Sequence, residues 1–196
     1  MTDIEEHEQY VRESAWGLIV PGFTRLDVIR ELLGEMVEYD PDSPLTRERA
    51  EQLVTELWQV RLEQLSGPAN HPTDDERVAR AFELLNAEGI IASMNLGFSR
   101  QDAIIESRRL ANDELDRGYV YFHEQDAARL GWPPAELFIG FGVVATDEAG
   151  WEAGSLPVAQ RLARVLADQG LTVDWDGTVD SRIRVVDVVW LRPLPV

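Results

Sequence analysis

The feature that most constrains how this chain folds is a run of breakers one third of the way along it. Ser66-Gly67-Pro68-Ala69-Asn70-His71-Pro72 can continue neither a helix nor a strand. Before it, apolar residues recur at helical spacing. Ile4, Val11, Ala15 and Leu18 form one stripe, which stops at Pro21-Gly22. Leu26, Ile29, Leu33, Met36 and Val37 form a second, with Thr24 as its expected cap and Asp27 as the capping-box partner. Ala50, Leu53, Val54, Leu57 and Leu65 form a third behind Thr46. Residues 1–66 therefore read as a helical N-terminal segment.

Residues 73–196 alternate helix and strand. Thr73 and Glu76 make a capping box ahead of Val78, Ala81, Phe82 and Leu85, and Gly89 stops that helix. A strand over 90–96 follows, then a helix from the Ser99–Asp102 box to about residue 115. Strands are expected over 119–123 and 137–145, a helix over 155–168, and strands over 171–175 and 182–191. The order from residue 90 is strand, helix, strand, strand, helix, strand, strand. Two split β-α-β units in that order describe a ferredoxin-like sandwich with an antiparallel sheet. The last strand would extend the sheet through a hairpin at Asp176-Gly177. The expected fold class is thus α+β. Right-handed crossovers would put both helices on one sheet face. The other face would then need cover from the N-terminal helices or from a second copy, a homodimer through the open sheet face.

Composition narrows the chemistry. There are no cysteines, which excludes disulfides, thiolate nucleophiles and cysteine-held zinc or iron–sulfur centres. All 18 basic residues are arginine, so no lysine is present for a Schiff base or a P-loop. Against them stand 36 acidic residues, for a net charge of -18. Such a surface repels nucleic-acid phosphates and anionic membranes, and a basic protein is the partner it would attract. Residues 1–66 hold 15 acids and 6 arginines and the remainder 21 and 12. Each part carries -9, so the helical third is the more densely acidic. The start is acidic where a signal peptide needs a basic region. The longest apolar run, 137–145, is far below the ~20 residues of a membrane span. The expectation is a cytoplasmic protein.

Several segments carry a resemblance. They are Phe82-Glu83-Leu84-Leu85-Asn86-Ala87-Glu88-Gly89-Ile90-Ile91-Ala92, Tyr121-Phe122-His123-Glu124-Gln125-Asp126, Phe138-Ile139-Gly140-Phe141-Gly142, and Trp175-Asp176-Gly177-Thr178 followed by Arg182-Ile183. With Asn95-Leu96-Gly97-Phe98-Ser99-Arg100-Gln101-Asp102-Ala103, they resemble an uncharacterised bacterial domain family. The resemblance covers nearly the whole chain, N-terminal helices included. The family is one of the domains of unknown function, so the resemblance implies membership and no chemistry. In the loop after the first strand, Ser99 stands where the family has threonine, Gln101 where it has serine, and Ala103 where it has glycine.

Strand alternation puts Tyr119, Tyr121 and His123 on one sheet face. His123 suits proton transfer near neutrality, and Asp126, one helical turn on, could orient its ring. The competing reading has His123 and Asp126 satisfying backbone groups where the strand passes into a short helix. Asn95, Ser99 and Asp102 could form a polar loop at a helix N-terminus, an anion site that Asp102 would oppose, or a plain cap. Trp175, Asp176 and Arg182 flank the last hairpin. A metal would need His123 with Asp126, Asp102 or Asp176; no metal and no cofactor is expected. The candidate crevice is therefore Asn95, Ser99, Asp102, Tyr121, His123, Gln125, Asp126, Trp175, Asp176 and Arg182. No residue is assigned a catalytic role.

The chain lacks the nucleophile elbow, the dinucleotide glycine fingerprint and the His-Glu-x-x-His zinc motif. The expected function is a non-enzymatic, acidic interaction or regulatory protein, inhibitor-like or immunity-like, that binds a basic partner. The alternative is a small-molecule binder or hydrolase-type enzyme with a crevice around Tyr121, His123 and Asp126. Convergence of these side chains on one concavity would favour the alternative, and a buried, fully bonded His123 would count against it.

Overall fold

A computed structural model describes residues 2–68, 72–111 and 117–196. The fold is mixed α+β, and the chain divides into two compact units, Met1–Asn70 with Leu191–Val196, and His71–Trp190. Among the described residues no helix is long and apolar enough to cross a membrane.

The first unit is built from α1 (Asp3–Ile19), α2 (Leu26–Tyr39) and α3 (Arg47–Leu65). Their stripes meet in one core of Val11, Ala15, Ile19, Ile29, Leu33, Val37, Leu53 and Val54, with Trp58 at its margin. Each large side chain buried there contributes roughly 1.5–3 kcal/mol. Thr46 caps α3 as expected, accepting from the Arg49 amide at 3.2 Å. The expected Thr24–Asp27 box is absent. The N-cap of α2 is Arg25, and the Asp27 carboxylate is taken by the Arg25 guanidinium instead. The chain end joins this core through Leu194, and Arg192 lies 4.4 Å over the Phe23 ring.

The second unit runs α4 (Asp74–Ala87), β1 (Ile91–Ser93), α5 (Arg100–Leu110), β2 (Gly118–Tyr121), α6 (Glu124–Ala128), a 3-10 turn (Arg129–Gly131), β3 (Leu137–Val143), α7 (Glu148–Asp168), β4 (Thr172–Asp174) and β5 (Ile183–Val186). The Thr73–Glu76 and Ser99–Asp102 capping boxes both form. The end expected for α5 near residue 115 lies outside the described residues. Helix α7 starts well before the expected residue 155. Its first turns contain Gly150 and Gly154, and Pro157 lies within it. Asp147 makes that start stable by accepting from the Gly150 amide at 2.7 Å.

The sheet order is β1-β2-β3-β5-β4. This corrects the expectation of an antiparallel, ferredoxin-like sheet. β1 and β2 are parallel and adjacent, so the first β-α-β unit is not split and the sheet is mixed. The second unit is split, with β5 antiparallel to both β3 and β4. β5 therefore sits inside the sheet and leaves β4 at the edge.

The strand order also overturns the expected placement of the helices. From β1 to β2 and from β3 to β4 the chain moves across the sheet in the same sense, while the strand direction reverses. Two right-handed crossovers then fall on opposite faces. The contacts agree. Val158 of α7 abuts Gly118, and Phe82 of α4 meets Phe122 with ring centroids 6.0 Å apart. On the other face Ala103 and Ile104 of α5 pack on Tyr119 and Tyr121. The sheet face expected to lie open is thus covered by α5 along β1 and β2.

Candidate functional site

β2 places its residues by alternation, and all four are buried. Tyr119 and Tyr121 share the α5 face and stack with ring centroids 6.3 Å apart. His123 continues the row, 6.5 Å from Tyr121. The strand beside them makes this possible. Tyr121 pairs with Gly140 and Tyr119 with Gly142. A methyl group on Gly142 would lie 2.6 Å from the Tyr119 hydroxyl, and one on Gly140 would overlap the Tyr121 ring. The glycines that would weaken a bare strand are where the neighbouring tyrosines lie down.

β2 ends at Tyr121, and His123 is the N-cap of α6. Its Nδ1 accepts from the Asp126 amide at 3.3 Å, which leaves the proton on Nε2, 2.9 Å from Asp126 Oδ2. Arg182 Nη1 donates to both oxygens of Asp126 at 2.8 and 2.9 Å, and its guanidinium stands 4.9 Å over the Phe138 ring. His123 and Asp126 are 4% and 1% exposed. Burial pushes the His123 pKa down, and the Arg182 and Arg100 charges push the same way, against Asp126 and Asp102. The imidazole is therefore neutral at pH 7. Nδ1 is occupied by the Asp126 amide and Nε2 lies against the Asp126 carboxylate, so both nitrogens face one residue of the fold.

The other expected site residues have local roles. Asn95 adopts a left-handed backbone (φ 51°) in the loop after β1. Asp102 accepts from the Ser99 amide and hydroxyl, which holds its carboxyl below the usual range. Gln125 is exposed, and its backbone N–H donates to the Phe98 carbonyl. Trp175 donates its indole N–H to the Thr178 carbonyl and packs edge-on against Phe141. Asp176 accepts from Thr178 and Ser181 in the hairpin. The structure thus gathers Tyr121, His123, Asp126 and Arg182, and ties the rest into caps and turns. Among the described residues no group of three His, Cys, Asp or Glu side chains is placed to hold a metal.

The concavity lies beside this cluster, at the other end of the tyrosine row. It encloses about 380 Å³ and includes Arg100, Ile104, Arg108, Tyr119, Tyr121 and Trp151. Of these only Tyr121 belongs to the expected crevice. Arg100, Ile104 and Arg108 are spaced i, i+4, i+8, one stripe along α5. That spacing was legible, but its convergence with β2 and α7 was not. Burial raises the Tyr121 pKa, partly offset by the Arg100 guanidinium beside it.

No curated protein and no solved structure matches the chain. A family model described as Domain of unknown function (DUF6891) matches residues 4–194. The chain, with its helical unit, its mixed sheet and its tyrosine row, belongs to that domain-of-unknown-function family.

Proposed function

We propose that the chain is a non-enzymatic interaction protein that captures a basic partner protein through its acidic helical unit, as an inhibitor or regulator would. The observation that carries this reading is where the arginines of that unit go. Arg12 pairs with Glu56, Arg25 with Asp27, Arg30 with Glu51, Arg47 with Glu38 and Arg49 with Glu8. Arg61 is buried and donates to Gln64 and the Val20 carbonyl. All six arginines of residues 1–66 are thus engaged within the unit. Glu6, Glu13, Glu31, Asp42, Glu48 and Glu63 remain exposed to water. Exposed pairs add little stability. They do leave the surplus of acid as the charge an approaching protein meets.

The test is retention of partners on the immobilised chain at about 50 mM and about 500 mM salt, since screening shortens with ionic strength. A variant carrying Glu6→Gln, Glu13→Gln, Glu31→Gln, Glu48→Gln and Glu63→Gln runs beside it. A basic protein should be held at low salt by the parent and released by high salt or by the variant. Absence of a basic protein, or retention indifferent to both changes, refutes the reading. The rival hydrolase built on His123 and Asp126 has less support, because both ring nitrogens of His123 face Asp126 inside the fold. The small-molecule reading draws its support from the concavity beside Tyr121.

A further inference from the structure

We propose that the concavity between α5, β2 and the start of α7 binds a small organic carboxylate with a flat apolar body. The inference stands apart from the basic-partner reading. It rests on an inventory of hydrogen-bonding groups in the pocket.

Tyr119 is 2% exposed and lines the pocket. Among the described residues its hydroxyl has no hydrogen-bond partner, nor has the proton of the Tyr121 hydroxyl, which faces the donor-only guanidinium of Arg100. The Tyr119 hydroxyl is not sealed off: it reaches the solvent of the pocket, where a ligand acceptor takes the place of water. Arg108 has no ion-pair partner among the described residues, although this chain pairs most of its arginines with its many acids. The Trp151 indole, beside Gly142, adds a further N–H without a partner among those residues.

The pocket also holds acceptors. Asp147 and Glu148 stand at the α7 end, and Asp147 Oδ1 already takes the Gly150 amide. The lining balances two guanidiniums, Arg100 and Arg108, against these two carboxylates, and the phenol, indole and Arg108 donors without a protein partner among the described residues are what an anionic acceptor would complete. A carboxylate matches a guanidinium fork together with phenol donors. The half-buried Trp151 ring and Ile104 supply apolar walls for a flat body. The volume of about 380 Å³ lies in the range of small-ligand sites.

The test is calorimetric titration of the full chain with 1-naphthoate, with the uncharged 1-naphthamide of the same shape, and with inorganic phosphate. Naphthoate should bind at least about tenfold tighter than the amide, and tighter than phosphate. Tyr119→Phe keeps the ring over Gly142 and should weaken naphthoate about tenfold. Arg108→Gln should do the same, and Arg164→Gln, an exposed arginine of α7 outside the pocket, should leave binding unchanged. Equal binding of acid and amide overturns the proposal. So do phosphate binding as tight as naphthoate, parent-like affinity in both pocket variants, and no binding of naphthoate up to millimolar concentration.

Discussion

Two clusters lie along one row of side chains on β2 and differ in a single respect, whether their polar atoms are satisfied. At the His123 end, both ring nitrogens, both Asp126 oxygens and an Arg182 nitrogen close on one another. At the Tyr119 end, the Tyr119 hydroxyl and the Arg108 guanidinium face a concavity and have no protein partner among the described residues. The residue types alone favour the first as a site, since it holds a histidine, a carboxylate and an arginine. The hydrogen-bond inventory favours the second. A closed network holds the fold in place, and unmet capacity is what a ligand can use.

The hardest way to break that contrast is to open the closed cluster. Asp126→Ala strands the Arg182 charge, removes the α6 capping box and leaves His123 without its partner. Breaking a buried pair from one side costs about 3–5 kcal/mol. Urea unfolding should show a loss of that size. A loss under about 1 kcal/mol would mean that the cluster is solvated and that the two ends of the row do not differ in kind.

Acid offers a finer probe of the same end. The His123 pKa is lowered from its ordinary value of 6.5 by burial, with Arg182 and Arg100 assisting and Asp126 and Asp102 opposing. Below pH 6.5 the unfolded chain takes up this proton and the folded chain does not. Stability therefore falls as pH falls, by up to about 1.4 kcal/mol per pH unit from this group, until folded His123 itself protonates. His123→Gln should be less stable throughout yet lose this share of the slope between pH 6.5 and the folded pKa. Equal slopes in parent and variant would show that the imidazole titrates as in water.

What could be read from the sequence divides along the same physical line. Local devices were legible. The stripes of α1 to α3, the boxes at Thr73 and Ser99, and the pairing of His123 with Asp126 all depend on residues within one or two turns of each other. Strand order was not legible, because inserting β5 between β3 and β4 depends on contacts distant in sequence, and no local pattern records it. The handedness rule was sound, but on the assumed order it put α5 and α7 on the same face. The early turns of α7 were hidden because Gly150, Gly154 and Pro157 read as breakers. Gly154 serves instead as the close approach to Val143. The pocket escaped for a related reason. Arg108, Tyr119 and Trp151 come from three elements, and only the folded chain shows that their donors have no partner among the described residues.

The smallest expected effect is the most discriminating. Tyr119→Phe removes one oxygen from a buried residue and leaves the ring over Gly142. Were that hydroxyl bonded within the protein, its loss would cost about 1–1.5 kcal/mol, as for an ordinary hydrogen bond. With no partner to lose, the free chain should change by less than about 0.5 kcal/mol in urea unfolding, and a gain in stability would fit equally well. A saturating carboxylate should then separate the two proteins, because a ligand stabilises the folded state by mass action in proportion to its affinity. Near-identity when empty and divergence when filled is the behaviour of a group held for a ligand. A large loss in the empty chain would make Tyr119 one more member of the closed network and remove the distinction between the two ends of the strand.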